Sequence, residues 1–208
     1  KLAFKFNNGS FESGDAEFLY QIIRHYKPKS IIEIGSGNST KISIMALAKN
    51  FDQTFVKANH ICIEPYEMPW LEKTPVKVIR ELVENIDINT FKKLNENDLL
   101  FIDSSHIIRT QGDVLKIYLE ILPVLKKGVI IQIHDIFTPR DYLDSWLLDD
   151  IKFWNEQYLL EALLSNTERY EIIAALNSLK HSNYKEIKRV CPFMNLEREP
   201  GSIYLKVT

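Results

Sequence analysis

The sequence predicts one α/β domain built around a mostly parallel β-sheet. Three observations indicate this fold class: short apolar strands alternate with segments of helical periodicity, a glycine turn joins the first strand directly to a helix, and polar residues follow several strands. With 208 residues, 45% of them hydrophobic, the chain can bury a sizeable core without disulfides. We find no repeat, low-complexity tract or linker, and we therefore expect residues 1–208 to form a single domain.

The predicted elements follow in chain order. The first helix begins near Ser13, carries acids in its first turn and ends before Pro28. Helices are also predicted over about 40–50, over 112–126, and over a segment that ends near residue 165. The strand at 128–133 is apolar on both faces, as expected for the centre of a parallel sheet. The predicted strands cover residues 30–34, 60–63, 76–79, 99–102, 128–133, 170–176 and 203–207.

The turn after the first strand has the composition of a cofactor-binding loop. It reads Glu33-Ile34-Gly35-Ser36-Gly37, and the second predicted strand is followed by Glu64. Many α/β proteins use a strand–glycine turn–helix unit, with an acid closing the next strand, to bind a nucleoside-containing cofactor. A dinucleotide pyrophosphate requires a third glycine, and this chain has Thr40 there. We therefore expect a smaller ligand, with Glu33 near an amine-bearing group and Glu64 on the ribose hydroxyls.

These residues resemble the motifs of the class I S-adenosylmethionine-dependent methyltransferases. Residues 33–37 match the first motif, although Ser39 replaces the usual third glycine. Glu64 matches the ribose-binding acid, and residues 99–103 match the motif of the fourth strand. The resemblance extends from about Phe11 to the C-terminus and looks closest to bacterial O-methyltransferases of sugars and glycosylated natural products. It implies a Rossmann-like three-layer sandwich with a seven-stranded, mostly parallel sheet whose last strand is antiparallel.

The resemblance also implies which residues hold S-adenosylmethionine. The two glycines of the turn would approach the methionine part, Glu64 would hold the ribose, and the segment around Asn85 would lie beside the adenine. The full implied set is Glu33, Gly35, Gly37, Asn38, Ser39, Glu64, Asn85 and Asp103.

Titratable residues follow the fourth and fifth strands. Asp103 and His106 come after the fourth strand, and His134 and Asp135 come after the fifth. Because parallel strands end at the same edge of a sheet, we expect these side chains to converge, and two carboxylates with an imidazole can bind a divalent cation. We predict Asp103, His134 and Asp135 as the metal ligands. Metal-dependent O-methyltransferases have an acid where this chain has His134, so the resemblance admits manganese or another transition metal beside magnesium.

The same residues are candidates for catalysis. His106 is the predicted general base, because an unperturbed imidazole pKa of about 6.5 suits proton abstraction at neutral pH. His134 is the rival candidate, and Asp103 completes the predicted catalytic set. The segment 136–158 is rich in aromatic residues, among which Tyr142 and Trp146 are predicted to stack on a sugar.

Composition excludes several other classes of protein. The 26 basic and 28 acidic residues are mixed without a basic stripe, which argues against a nucleic-acid partner. No apolar run approaches the roughly 20 residues of a membrane span, so we expect no membrane partner either. Two cysteines form no disulfide framework, which favours a reducing, cytoplasmic location. The chain begins at Lys1 rather than methionine, so we expect sequence upstream of it.

We therefore predict an S-adenosylmethionine-dependent O-methyltransferase, assisted by a divalent cation, that acts on a hydroxyl of a sugar or glycosylated small molecule. A homodimer is compatible with the sequence. Two alternatives stay open: a nicotinamide-dependent oxidoreductase, and a non-catalytic subunit that binds the cofactor and uses the fold as an interaction surface.

Overall fold

A seven-stranded sheet with helices on both faces forms the centre of the computed structural model, which describes residues 3–208. The strand order is β3-β2-β1-β4-β5-β7-β6, and β7 runs antiparallel to both of its neighbours while β1 to β5 pair in parallel. The predicted fold class, including the antiparallel last strand, is confirmed. The strands are β1 (Ser30–Ile34), β2 (Asn59–Ile63), β3 (Lys77–Ile79), β4 (Leu99–Ile102), β5 (Ile130–Ile133), β6 (Tyr170–Ala175) and β7 (Ile203–Val207).

The helices connect these strands. A π-helical turn, Ile117–Ile121, joins α3 to α4, and short 3₁₀ turns cover Leu71–Lys73, Val83–Asn85 and Ile88–Lys93. The sequence pattern does not predict α5, α7 or α8, because helices of about two turns or less carry little periodicity. No helix within residues 3–208 is long and apolar enough to cross a bilayer. The helices are α1 (Asp15–Tyr26), α2 (Asn38–Thr54), α3 (Asp113–Lys116), α4 (Leu122–Val124), α5 (Asp144–Leu148), α6 (Glu156–Ser165), α7 (Leu176–Ser182) and α8 (Tyr184–Val190).

Side chains of the parallel strands alternate between two hydrophobic cores. Ile32 and Leu100 point into the core that α3, α4 and α6 cover, whereas Ile31 and Phe101 point into the core that α1 and α2 cover. Since both faces are buried, these strands are apolar throughout rather than alternating with polar residues. The result is the predicted three-layer arrangement.

The functional edge of the sheet lies where β1 and β4 pair side by side. The chain leaves β1 towards β2 and leaves β4 towards β5, in opposite directions, which opens a crevice at their carboxyl ends. Gly35 follows β1 with φ of +78°, and a Cβ at this position would lie 2.0 Å from the carbonyl oxygen of Asp103. Only glycine therefore allows the turn after β1 to contact the residue that ends β4.

Candidate active site

The first cavity lies at the carboxyl ends of β1, β2 and β4 and has a volume of about 430 Å³. Glu64 follows β2 in its wall and is 4% exposed. Its Oε2 accepts a hydrogen bond from the Ser36 backbone N–H (2.9 Å), and its Oε1 accepts one from the Tyr66 N–H (3.0 Å). A carboxylate has about four acceptor sites, so these two bonds fix Glu64 and leave capacity for two ligand hydroxyls.

A central cavity of about 370 Å³ adjoins the first cavity. The two share Ser36, Asp103, Ser104 and Ser105, so one ligand can extend from one into the other. The remaining walls of the central cavity include Gly37, Asn38, Ser39, His106, His134, Asp135, Trp146, Lys152 and Trp154.

Most of the residues predicted to contact the cofactor line these two cavities, but Asn85 does not. Gly35, Glu64 and Asp103 line the first cavity, and residues 37–39 line the central one. Asn85 is exposed at the end of a 3₁₀ turn, where its side-chain amide donates to Glu81 (3.0 Å). The same turn directs its neighbours Val83 and Glu84 to the cavity, which corrects the prediction for Asn85.

Glu33 is also placed differently from the prediction. Its side chain is fully buried beneath the glycine turn, where Oε1 accepts a hydrogen bond from the Ser39 hydroxyl (2.6 Å). Its Oε2 lies 3.1 Å from His60 Nε2 and 3.4 Å from Cys62 Sγ on the neighbouring strand β2. Glu33 therefore anchors the start of α2 and lines neither cavity. No role was predicted for His60, whose sequence neighbours give no sign of this contact.

Four titratable side chains converge at the ends of β4 and β5, as predicted. His106 Nε2 lies 3.2 Å from Asp103 Oδ1 and 3.5 Å from Asp135 Oδ2. His134 Nδ1 lies 3.1 Å from Asp135 Oδ1 and 3.8 Å from Asp103 Oδ1. His106 and Asp135 both have left-handed backbones, with φ of 59° and 57°, a strained conformation that is concentrated at functional sites.

Glu156 is a fifth member of this cluster that sequence reasoning missed. It is fully buried at the start of α6, and its Oε2 lies 2.9 Å from His106 Nδ1. The Glu156 backbone N–H also donates to the His106 carbonyl (3.2 Å). An acid in the first turn of a helix is ordinarily explained by the helix dipole, so its position carries no signal of this contact.

The neighbouring carboxylates determine the protonation of both imidazoles. Burial alone would lower the pKa of His106, but hydrogen bonds and charge from Asp103 and Glu156 outweigh burial and raise the pKa well above 6.5. Burial likewise opposes protonation of His134, yet Asp135 and Asp103 raise the pKa of that imidazole to about 10. Conversely, burial disfavours the charged form of Asp103, but the adjacent His134 and His106 lower the pKa of its carboxyl.

His106 does not have the unperturbed pKa that its predicted role as general base assumes. Both of its ring nitrogens face carboxylates, which raise the pKa of the ring and favour its protonated form, so His106 is poorly suited to accept a proton. By contrast, neither ring nitrogen of His134 makes a hydrogen bond with a described residue, although both are buried. The contact of His134 with Asp135 is short but poorly aligned for a hydrogen bond.

The donor atoms suit a divalent cation. Ligand atoms of Asp103, His106 and Asp135 all lie within 4.8 Å of one another. The predicted set of ligands was Asp103, His134 and Asp135. In the structure, His106 takes the place of His134 in this group, and His134 lies beside it. Two carboxylate oxygens and one imidazole nitrogen match the preferences of manganese and other transition metals better than the all-oxygen preference of magnesium.

The two aromatic residues predicted to stack on a sugar have different surroundings. Tyr142 is 3% exposed and lines neither cavity, and its hydroxyl accepts a hydrogen bond from the Gln157 N–H (3.0 Å). The prediction for Tyr142 is therefore wrong, because composition alone does not distinguish a buried aromatic from an accessible one. Trp146 does line the central cavity, where its ring packs edge-to-face on Trp154 (centroids 5.0 Å apart) beneath the Lys152 ammonium.

The chain has a relative of similar sequence among known proteins. An uncharacterized protein from Archaeoglobus fulgidus is 34% identical over 96 residues, which cover 44% of this chain and 42% of that protein. The chain thus spans less than half the length of this relative.

The fold is shared with solved O-methyltransferase structures. The O-methyltransferase from Bacillus cereus in complex with SAH has a TM-score of 0.60 at 15% identity, covering 98% of this chain and 84% of that one. CalS11, the TDP-rhamnose 3′-O-methyltransferase of calicheamicin biosynthesis, has a TM-score of 0.54 at 11% identity, covering 92% and 76%. At these identities the likeness concerns the fold.

A family model described as a methyltransferase domain matches residues 32–136, about half of the chain. The matched segment begins within β1 and ends just after β5. It contains Glu64 and the cluster residues Asp103, His106, His134 and Asp135, but not Glu156. The chain therefore belongs to this family of methyltransferase domains, as its sequence motifs predict.

Proposed function

We propose that the protein is an S-adenosylmethionine-dependent O-methyltransferase, assisted by a divalent cation, that methylates a hydroxyl of a sugar or glycosylated small molecule. One observation carries this proposal. A cavity closed by the fixed carboxylate of Glu64 continues, through Ser36 and Asp103, into a cavity that contains a carboxylate–imidazole cluster. Methyl transfer requires this continuity, because the donor carbon and the acceptor oxygen must meet in near-attack geometry.

The first and central cavities fit the methyl donor. Glu64 has free acceptor sites for two ribose hydroxyls, and a Cβ at Gly37 would meet no atom within 4 Å, which leaves room for a ligand along the turn. S-adenosylmethionine, when bound, supplies the methyl group at its sulfonium centre. The complex of the Bacillus cereus O-methyltransferase with SAH supports this assignment of the cofactor.

The cluster fits a divalent cation, with Asp103, His106 and Asp135 as the residues that would hold it. A cation bound there would lower the pKa of an acceptor hydroxyl and of the neighbouring imidazoles. Asp113 supports the loop that carries these groups, since its carboxylate accepts hydrogen bonds from the N–H and the hydroxyl of Ser105 (both 2.7 Å).

His134 is the residue we expect to take the proton from the acceptor, once a cation bound to the cluster has lowered the pKa of this imidazole, which is about 10 without one. Its ring lies in the wall of the central cavity, and both ring nitrogens are free of hydrogen bonds to described residues. His106 has both nitrogens engaged by Asp103 and Glu156 and is better suited to hold the cluster together. The acceptor class rests on the sequence resemblance and on the sugar-nucleotide substrate named for CalS11.

A nicotinamide cofactor is disfavoured by the glycine turn. Thr40 is fully buried at the position of the third glycine, and its hydroxyl accepts the Gly37 N–H at 3.0 Å. That backbone donor is therefore already used, whereas a pyrophosphate would need it.

Thermal unfolding with SAH, and with NAD as the control, tests the cofactor. SAH at 100 times its dissociation constant should stabilise the protein by about 2.7 kcal/mol. A shift with NAD alone would refute the proposal. Transfer of a labelled methyl group from S-adenosylmethionine to sugar acceptors, with Mn²⁺ and with a chelator, tests catalysis. Binding of SAH without any transfer would favour the non-catalytic subunit.

A further inference from the structure

The start of α6 and the residues just before it hold His106 in place through its backbone and its ring. The His106 carbonyl accepts hydrogen bonds from the N–H groups of Asn155 (3.0 Å) and Glu156 (3.2 Å). The Asn155 side-chain oxygen accepts another from the Ile108 N–H (2.6 Å). The Trp154 ring packs on the imidazole, with centroids 4.3 Å apart. These contacts fix the backbone and the ring plane of a residue whose φ is 59°.

The two ring nitrogens of His106 face different surroundings. Nε2 points to the carboxylates of Asp103 (3.2 Å) and Asp135 (3.5 Å), and these three side chains form the group of donor atoms that suits a cation. Nδ1 points to Oε2 of Glu156 (2.9 Å). One nitrogen is therefore directed into the cation group, and the other is directed to a carboxylate outside it.

Glu156 makes this contact from a fully buried position. Within residues 3–208, the only hydrogen-bond partner of its side chain is Nδ1 of His106. Burial of a carboxylate is costly unless a charged or hydrogen-bonding partner compensates for it. Stability of the fold does not require such a pair, because hydrophobic side chains of similar volume often replace buried ion pairs without loss. The contact with His106 is therefore the feature that explains an acid at this position.

The arrangement is the one that metal-binding histidines use in other proteins. A histidine that binds a metal through one ring nitrogen usually donates the N–H of its other nitrogen to a carboxylate or a backbone carbonyl. This hydrogen bond fixes the tautomer and the orientation of the ring. His106 has such a partner in Glu156, whereas neither ring nitrogen of His134 is hydrogen-bonded to a described residue.

We infer that Glu156 is a positioning residue, which orients the His106 ring so that Nε2 binds the cation. This inference rests on the proposed function, in which a cation occupies the cluster. Glu156 lies outside the group of cation ligands and beyond residues 32–136, which the family model matches. The cation site of this chain would therefore depend on α6 as well as on the ends of β4 and β5.

Titration of the SAH-saturated protein with Mn²⁺, followed by the EPR signal of the free ion, tests this inference. Glu156→Leu removes the acceptor and nearly keeps the volume, and it should weaken Mn²⁺ binding by about 10–100-fold while SAH affinity stays unchanged. Glu156→Gln keeps an acceptor oxygen for Nδ1 and removes the charge, so it should recover most of the loss. Glu161→Leu is the matched control and should bind Mn²⁺ like the wild type. Glu161 lies on the same helix and accepts from the Thr138 hydroxyl (2.6 Å) instead of from His106.

Two results of this titration would overturn the inference. Unchanged Mn²⁺ affinity in Glu156→Leu would show that the hydrogen bond to Nδ1 does not support the cation. Equal losses of affinity in Glu156→Leu and Glu156→Gln would show that the carboxylate acts through its charge and not through the orientation of the ring.

Pulsed EPR of the bound Mn²⁺ gives a test that does not depend on the folding of the Glu156 variants. An imidazole nitrogen bound to Mn²⁺ modulates the signal, and both the wild type and His134→Asn should show this modulation. Its absence from the wild type, or its loss in His134→Asn, would overturn the inference. Failure of the wild type to bind SAH or Mn²⁺ would instead refute the proposed function.

Discussion

Replacing Gly35 with alanine should destabilise the protein severely, because the residue is confined by backbone on both sides. The new Cβ would lie 2.0 Å from the Asp103 carbonyl oxygen, whereas real Cβ contacts are almost never below 3.0 Å. The backbone cannot shift easily to provide this distance. The Gly35 N–H donates to the Ile63 carbonyl (3.0 Å), and the Ile34 carbonyl accepts from the Asp103 N–H (2.9 Å).

Two contributions set the expected magnitude. A non-glycine residue at φ of +78° costs roughly 1 kcal/mol, and forced overpacking costs roughly 1–3 kcal/mol. The free energy of unfolding should therefore fall by about 2–4 kcal/mol, and Tm by about 5–15 °C for a domain of this size. Differential scanning calorimetry and urea unfolding measure both quantities.

Gly37→Ala is the matched control, two residues along the same turn. Gly37 has an extended φ of 176°, and a Cβ there meets no atom within 4 Å. The substitution should change the free energy of unfolding by less than about 1 kcal/mol, as expected for an N-cap position. It should nevertheless weaken SAH binding about tenfold, since the methyl group enters the space we assign to the cofactor. A Tm for Gly35→Ala within 2 °C of that of Gly37→Ala would refute the reasoning.

The cluster at the ends of β4 and β5 gives three further predictions. Asp135→Asn should abolish metal-stimulated methyl transfer but keep SAH affinity within about twofold, because Asp135 does not line the first cavity. If the variant still turns over, and if a chelator does not lower the turnover of the wild type, a metal role is contradicted. Glu156→Gln should lower the pKa of His106, measured by NMR titration of the imidazole, since the charge and the hydrogen bond of Glu156 help to raise it. An unchanged pKa would contradict the assigned contact. The pKa of His134 is about 10 in the folded protein, above its unfolded value of about 6.5. Its protonation therefore stabilises the fold fully below pH 6.5, and the contribution is lost as the pH rises towards 10, by at most about 5 kcal/mol. Urea unfolding of wild type and His134→Asn between pH 6.5 and 10 measures this loss, and identical slopes would contradict it.

The sequence is most informative where local chemistry dictates the structure. The bounds of β1, β4 and β7 agree with the prediction, because each is a short apolar run delimited by polar or glycine residues. Glu64, Asp103, His134 and Asp135 could be located because the residues after parallel strands share one edge of the sheet. Their convergence therefore follows from the parallel strands that they end, and not from the details of side-chain packing.

The features that sequence reasoning missed depend on contacts between distant segments. Glu156 reaches His106 across 50 positions of the chain, and nothing near either residue indicates the other. The burial of Tyr142 and the outward orientation of Asn85 depend on how one turn or loop packs, which composition does not specify. Glu33 has the residue type of a ligand-binding acid, but its position within a buried strand directs it to Ser39 instead.

The total charge of the cluster would be the same with and without the proposed cation. Three carboxylates, those of Asp103, Asp135 and Glu156, surround two imidazoles whose pKa values are raised, so the protonated cluster has a formal charge of −1. Exchange of the two imidazolium protons for one divalent cation would leave this total unchanged. The raised pKa values are therefore compatible with a metal site, since the two protons supply the same positive charge that a divalent cation would supply in their place. The exchange would also leave His134 neutral and able to accept a proton, which connects the binding of a cation to the supply of the base.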